Sequence, residues 1–492
     1  DRHGNKPFTA SGFFDISGGE KTVTIKDLTM KNLRLGDGAT TVWGGFITVQ
    51  PAATLILNSV DILKGELPLG GGAGIDCKGN LDFTNVTIAD CLASTQGVAI
   101  SFNGNSTGKF ESCTFKNNTG ASTIHSYLAE VVDGIAGDYK FNNCYFSEND
   151  YSAVQYGACI FLGNFYGKKL NYHITNSTFS ENKGNSAGVL FITTNAAKTR
   201  EIDMLVSNTT FNRNIMTGGN QGVIYMMNEG ANSNISGAIS FVNNTFYRND
   251  RAEGSTLGSS DIFFQDMSVD LNTINNIFLT SPGSWGTVFN YSGDAANNCN
   301  PTIKGNIFER VGGDKSVLTD LALDPSLNVK VGQDADAEEE LEYIDGNVAV
   351  KLETTLTFQD GYNAPFLALL DGSLAIDGGI KDNSLVPALD VRGQAIENDR
   401  KDVGAYEYSE NGATLIEDAT DADVLKAYVN KIDGTVTLNK EVKTVSIYSI
   451  NGALIKTVAN DTVIQIADLQ HGVYILKATE ANDRVSAVKI QK

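Results

Sequence analysis

Proline is scarce, with eight residues in 492, while glycine numbers fifty. That balance favours many turns with positive φ and few helices. Basic residues are also short: 37 Lys and Arg against 58 Asp and Glu, a formal charge of −21. Phosphate recognition needs clustered cations, so nucleic acid is excluded as a partner. No stretch approaches 18 uninterrupted apolar residues, which excludes a membrane-spanning helix. The six cysteines include no CxxC pair, so they argue against a zinc site and suggest no disulfide framework. The opening DRHGNKPFTA is not a signal peptide, and the sequence leaves open what precedes it. At this length the chain is either several domains or one elongated architecture.

What the chain does have is a phrase it repeats. FNNCYFSEND (141–150) returns as HITNSTFSEN (173–182), LVSNTTFNRN (205–214) and SFVNNTFYRND (240–250). Aligned on phenylalanine, the series is Phe115, Phe146, Phe179, Phe211, Phe246, Phe278 and Phe308, with intervals of 31, 33, 32, 35, 32 and 30 residues. LILNSVDIL (55–63) and LDFTNVTIADC (81–91) extend it backwards with Ile in the same place, and VTIKDLTMKN (23–32) begins it. Such a period signals a repeat architecture. The units are rich in Val, Ile, Thr and Phe, broken by Asn and Gly, and show no 3.6-residue period. Before each phrase lies another apolar run after Gly, among them GAGIDC (72–77), GVAISF (97–102), GACIFL (157–162), GVLFIT (188–193) and GVIYMM (222–227). Each unit therefore reads strand, long variable loop, strand, Asn bend, strand, second variable loop. The predicted fold is all-β, a parallel β-helix of about ten to twelve three-strand coils.

These three-strand units resemble the right-handed parallel β-helix of the pectate-lyase-like superfamily. The F-x-x-N phrase with its Gly-led strand is similar to the repeats of polymorphic outer-membrane proteins. F-x-x-N occurs in register at Phe115–Asn118, Phe146–Asn149, Phe179–Asn182, Phe211–Asn214 and Phe246–Asn249. In a parallel coil, equivalent residues stack about 4.8 Å apart, so the Phe series predicts a buried column of rings. Asn143, Asn176, Asn208, Asn243 and Asn275 stand three residues before each Phe, at the bend. Asn tolerates the left-handed conformation of a tight bend, and its amide is expected to bridge coil to coil. The N-x-S/T triplets, such as Asn176-Ser177-Thr178, follow from that pattern rather than from glycosylation. In the same register Glu181 is expected to face Arg213 as an exposed ion pair of about 0–1 kcal/mol.

Beyond the coils the composition changes. VGQDADAEEELEYIDG (331–346) carries seven acidic residues and no basic one, the pattern of a solvated loop. Asp334 and Asp336 keep calcium open as a ligand, with a loose acidic loop the blander reading. Residues 372–379 (GSLAIDGG), 389–393 (LDVRG) and 399–408 (DRKDVGAYEY) resemble, in order and spacing, the closing segment of many bacterial surface β-helices. Leu374 stands where proline is usual, and Arg392 precedes the second glycine. The task this implies is to cover the open edge of the last coil. A linker follows, and then KTVSIYSINGALIKTV (443–458), IQIADLQHGVYILKA (464–478) and RVSAVKIQK (484–492) alternate in period two around Asn451-Gly452 and His471-Gly472. Val445-Ser446-Ile447-Tyr448, Asn451-Gly452, Leu469, Gly472-Val473-Tyr474-Ile475 and the basic tail from Lys489 resemble the type IX secretion sorting domain of Bacteroidetes. That likeness implies a small β-sandwich, secretion machinery as partner, and a secreted or outer-surface location. The domains are placed at 1–320 (helix), 321–410 (closing segment), 411–427 (linker) and 428–492 (sorting-type sandwich).

In the pectate-lyase-like superfamily the cleft lies over the first strands. Eliminase chemistry there needs a base and a cationic or calcium clamp, and hydrolysis needs grouped carboxylates. The first strands offer Asp76, Ser101, Phe161, Ile192, Met226 and Asn290, one acid and no base, on faces that their imperfect alternation leaves unassigned. Catalytic candidates therefore fall to the loops and their borders: His125, Glu130 and Asp133, then Lys168, Lys169 and His173, then Arg200 and Glu201. The blander reading makes them ordinary loop charges, and His125 a locally satisfied imidazole. Tyr127, Phe165, Tyr166 and Tyr172 are candidates for stacking on sugar rings, against simple packing of loops onto the helix. The expected function is a secreted or surface β-helix, monomeric, that binds glycan or mediates a surface interaction, without catalysis and with no cofactor beyond the calcium left open above. The alternative is a lyase or hydrolase acting on an acidic polysaccharide through the loop residues.

Overall fold

A computed structural model of the chain describes residues 12–35, 42–103, 106–127, 135–154, 157–163, 169–194, 200–218, 221–228, 235–252, 259–265, 269–279, 287–292, 300–308, 329–330, 350–359, 361–395 and 400–409, and in the C-terminal region 427–430, 435–438, 442–449, 454–459, 462–466, 469, 473–480 and 485–491. The acidic stretch 331–346 lies outside the described residues. The chain divides into two compact units, residues 1–412 and 413–492.

The first unit is a parallel β-helix. Its first-strand sheet runs from Phe14–Ile16 through Ile47–Val49, Ile75–Cys77, Leu92–Asn103, Thr119–Tyr127, Ala158–Gly163, Leu190–Thr194, Gln221–Asn228 and Ser259–Gln265 to Thr287–Ser292. In-register pairing stacks Ile47, Ile75, Ile100, Ile124, Ile160, Leu190, Ile224 and Ile262 into one buried aliphatic column. The third-strand column carries the phenylalanines. Neighbouring rings from Phe115 to Phe308 lie 4.4–5.4 Å apart and within 19° of parallel, all buried. Met30, Ile62 and Ile88 precede them in the same register.

One left-handed residue makes the bend between second and third strands in every coil. In the first three coils these are Asp27, Ser59 and Asn85, with φ of 54°, 53° and 54°, set inside single ten-residue strands, Thr22–Lys31, Thr54–Leu63 and Asn80–Ala89. From Ser106–Glu111 onward the bend separates two strands, as in Ile135–Asn142 and Tyr145–Ser147. The expected ten to twelve coils of three separate strands are thus about seven, preceded by coils in which the second and third strands run together. The expected bend asparagines do take the left-handed conformation, with φ between 48° and 55°.

Their amides do less bridging than expected. Asn208 Nδ2 donates to Asn176 Oδ1 at 3.0 Å and Asn275 Nδ2 to Asn243 Oδ1 at 3.4 Å. The continuous ladder belongs to the last residue of F-x-x-N instead. In Asn118, Asn149, Asn182 and Asn214, both the backbone N–H and Nδ2 donate to Oδ1 of the next asparagine, at 2.8–3.2 Å, ending on Asn249. Each Nδ2 also reaches a carbonyl one coil back, such as Asn182 to Phe146 at 3.0 Å. A second ladder joins Asn244, Asn276 and Asn306 at 2.9 Å. These side chains are almost wholly buried, and Asn149, Asn182 and Asn214 satisfy both lone pairs and both hydrogens within the ladder.

The bend asparagines are occupied by a strap. The described residues 350–359, 361–395 and 400–409, part of the segment expected to close the last coil, lie along the outer face of the third strands. Asn143 Oδ1 accepts from the N–H groups of Asn363 and Ala364, both at 2.9 Å. Asn243 Nδ2 donates to the Asp402 and Gly404 carbonyls, and Asn275 exchanges hydrogen bonds with Ile380. The outward third-strand residues explain this course: Thr114, Tyr145, Thr178, Thr210 and Thr245 give way to Ile277 and Ile307, which pack with Leu352, Phe366 and Val403. Two buried ion pairs knot the strap, Arg392–Asp390 at 2.7 Å and Lys401–Glu407 at 2.5 Å, with the Arg392 guanidinium 3.8 Å from the Tyr406 ring centroid. The strap also displaces the expected Glu181–Arg213 pair, which does not form among the described residues. Arg213 Nη2 donates to the Thr354 carbonyl at 3.1 Å, and Lys116 pairs with Glu148 at 2.9 Å instead.

The second unit is a small antiparallel sandwich. Ala427–Asn430, Thr435–Leu438 and Val463–Gln465 form one sheet, and Leu454–Ala459, Val442–Ser449, Val473–Glu480 and Val485–Gln491 the other. Val436, Val445, Ile447, Ile464 and Leu476 fill its core.

Candidate functional site

The first-strand sheet has an outward column as well as its interior one. In register it runs Thr48, Asp76, Ser101, His125, Phe161, Phe191, Tyr225 and Phe263. From His125 onward it is a stack of rings, with centroids 4.4 Å apart for His125–Phe161, then 5.3, 4.9 and 4.9 Å. The four rings from Phe161 to Phe263 form an apolar cluster of their own with Ala158 and Ala187, separate from the helix core. All four are at most 9% exposed, so this spine is covered and offers no open aromatic platform.

The N-terminal half of the column is polar. Asn103 Nδ2 donates to Asp76 Oδ1 at 2.6 Å. Burial pushes the Asp76 carboxyl above its ordinary range, with Lys78 and the Asn103 hydrogen bond opposing. The backbone of Gly44 passes close by at φ 85°. A Cβ there would meet Thr48 Oγ1 at 2.5 Å and Asp76 Cβ at 3.7 Å, so only glycine fits. His125 is half-buried against Phe161, with Nδ1 3.5 Å from Ser122 Oγ. Burial holds its imidazole well below the ordinary range, so it stays neutral at physiological pH. A neutral imidazole cannot clamp a carboxylate, and one carboxyl cannot seat calcium alone.

The other sequence candidates are scattered. Lys169 and Glu201 are neighbours in register on the second-strand sheet and pair at 3.0 Å, both partly exposed. They lie on a different sheet from His125. The backbone of Tyr127 pairs with Gly163 on the first-strand sheet, and that of Arg200 with Ile235 on the second. Tyr172 is a correction: it is fully buried, its ring 5.9 Å from Tyr139 and 5.7 Å from Phe141, and no glycan can stack on it. Its strand Lys169–Thr175 alternates with Leu170, Tyr172 and Ile174 inward, a signal present in the sequence. Glu130, Asp133, Phe165, Tyr166 and Lys168, and the Asp334–Asp336 pair, lie outside the described residues. Among the described residues no three His, Cys, Asp or Glu side chains gather to hold a metal. No helix of the described residues is long and apolar enough to cross a membrane.

Comparison with known families matches two regions. Residues 14–203 match the right handed beta helix region, and residues 430–491 match the secretion system C-terminal sorting domain. No curated protein and no solved structure matches the chain.

Proposed function

From a chain that is a secreted or surface-located right-handed β-helix with a type IX sorting domain, we propose a non-catalytic binding protein that recognises glycan, exported by a bacterium of the Bacteroidetes and acting as a monomer. The observation that carries this reading is the outward face of the first strands. Its column holds one carboxyl, one neutral imidazole and a covered stack of aromatic rings. Proton abstraction from a uronate needs a base and a charge clamp; burial makes the His125 imidazole a weak base, and the column carries no Lys or Arg beside it. A covered aromatic spine serves instead to anchor what crosses it, as any buried apolar face does. The variable loops are where a repeat scaffold carries recognition, because the coils themselves are committed to stacking. Tyr127 (at the end of its first strand), Phe165 and Tyr166 are the aromatics proposed to stack on sugar rings, and Lys168, Lys169, Arg200 and Glu201 are proposed as polar contacts. The test is retention of the full chain on a glycan array. Loss of retention in the Tyr127→Ala, Tyr166→Ala double variant supports the loops as the binding element. Retention of no glycan at all by the native chain would sink the reading.

A further inference from the structure

The strap builds a second surface, along the third strands rather than on the first-strand sheet. Residues 350–370 form a hairpin, with antiparallel bridges Leu352–Leu369 and Thr357–Phe366. Its turn is tied to the helix at three successive coils. Asn363 Nδ2 donates to the Cys113 carbonyl at 2.9 Å, its Oδ1 accepts from Thr114 Oγ1 at 3.0 Å, and Thr178 Oγ1 donates to the Pro365 carbonyl. Just before this anchored turn stands Phe358, 66% exposed, the most exposed large hydrophobic side chain among the described residues. Its ring is 6.0 Å from that of Tyr145 and inclined at 80°, so the two make an open corner. A lone exposed apolar residue is ordinary on a protein surface. Phe358 differs in directly following Thr357, whose N–H and carbonyl both pair with Phe366, and in its polar surroundings. The Lys116–Glu148 ion pair, at 2.9 Å and nearly half exposed, borders the corner, and Glu181 follows one coil on. Lys116 is in register with Ser147, two residues past Tyr145, so it and its partner Glu148 stand at that end of the corner, with Glu181 in the equivalent place on the next coil.

We infer that Tyr145 and Phe358 form a second glycan subsite, specific for neutral sugar rings. The inference rests on the glycan-binding reading and extends it to a site outside the loops. A pyranose has apolar C–H faces and a hydroxyl rim. Its face lies on Phe358, its edge against Tyr145, and its hydroxyls donate to the carboxylates of Glu148 and Glu181 and accept from Lys116. With two carboxylates to one ammonium at the rim, and −21 on the whole chain, uronates and sulfated sugars are repelled.

The experiment is calorimetric titration of the full chain with gluco-, manno- and galacto-tetrasaccharides and with tetragalacturonate. Neutral tetrasaccharide is expected to bind, with Phe358→Ala weakening it about tenfold and Phe358→Tyr by no more than about twofold. Thermal melting of both variants is expected to match the native chain, since the ring is exposed. Native-like affinity in Phe358→Ala, or preference for tetragalacturonate, would overturn the subsite. So would a changed sedimentation coefficient in Phe358→Ala with glycan affinity intact, which would mark the corner as a contact between copies. The two readings fail separately: no glycan bound by the native chain defeats both, whereas native binding with Phe358→Ala unaffected defeats only the subsite.

Discussion

Replacing Asn182 by Ala isolates what the buried asparagine ladder contributes. Asn182 Oδ1 accepts from Asn149 N at 3.2 Å and Asn149 Nδ2 at 2.8 Å, and its Nδ2 donates to Asn214 Oδ1 at 2.9 Å and the Phe146 carbonyl at 3.0 Å. The variant keeps its own backbone bond to Asn214 Oδ1 but leaves two Asn149 donors without acceptors in a site closed to solvent. An orphaned buried donor costs about 1–3 kcal/mol, so the expected destabilisation is about 3–5 kcal/mol, reduced if a water enters. Asn176→Ala is the control. Its amide bonds, to Asn142 Oδ1 at 2.7 Å and from Asn208 Nδ2 at 3.0 Å, are half-buried and replaceable by water, and its φ is 50°. The control is expected to cost about 1–2 kcal/mol, most of it backbone strain. Urea midpoints followed by far-ultraviolet circular dichroism compare the two, and hydrogen exchange at the Asn149 amide localises the loss. Equal costs for the two variants, or less than about 1 kcal/mol for Asn182→Ala, would refute the view that the ladder, and not only the Phe column, holds coil to coil.

Three further outcomes follow. Asp261 is buried beside Asn249, with Oδ2 unpartnered, and burial pushes its carboxyl up to about 8. The native state then holds a proton that the unfolded chain releases above about pH 4, so stability is full below that pH, falls as pH rises, and the contribution is lost by about pH 8. Asp261→Asn is expected to flatten the urea midpoint between pH 5 and pH 8.5, gaining on the order of a few kcal/mol at the alkaline end; an unchanged slope would remove Asp261 as its source. Phe179→Ala, at the centre of the ring column, is expected to cost about 3–5 kcal/mol in the same assay, and a loss under about 1 kcal/mol would mean the column is not close-packed. Deleting residues 413–492 is expected to leave the melting of the β-helix unchanged and to abolish export in a host with type IX machinery; a broadened or lowered transition would show that the two units fold as one.

The parts legible in the sequence were those where one face of a strand meets solvent. The strand Lys169–Thr175 alternates between half-buried and buried residues, and its pattern is plain in the letters. In Ala158–Gly163 all six residues are buried, because the coil fills one face and the aromatic spine is covered on the other, so alternation vanishes and Phe161 could not be assigned a side. The Phe and Asn columns were legible because stacking repeats them every coil. Of the two asparagines in each phrase, the first was correctly placed at the bend, but the second carries the main ladder; the letters do not distinguish an amide facing in from one facing out. The strap's course along the third strands was not legible because its contacts, such as Thr114–Asn363, span 249 residues. The only sequence trace of its course is the drift of one outward column from Thr to Ile at Ile277 and Ile307. Around the candidate site, Asp76 was legible as the single first-strand acid, whereas its partner Asn103 lies at the edge of a loop, where no periodicity applies.

Recognition without catalysis is tested most directly by the mass of what the protein holds. The full chain is incubated with a mixed panel of neutral and uronate-containing oligosaccharides, with calcium, across pH 6 to 10, captured, and its bound glycans are weighed by mass spectrometry. The account predicts a retained neutral oligosaccharide of unchanged mass, with no unsaturated uronate in the supernatant. Shortened chains, or an unsaturated product that disappears when Lys169 or Arg200 is replaced, would contradict it.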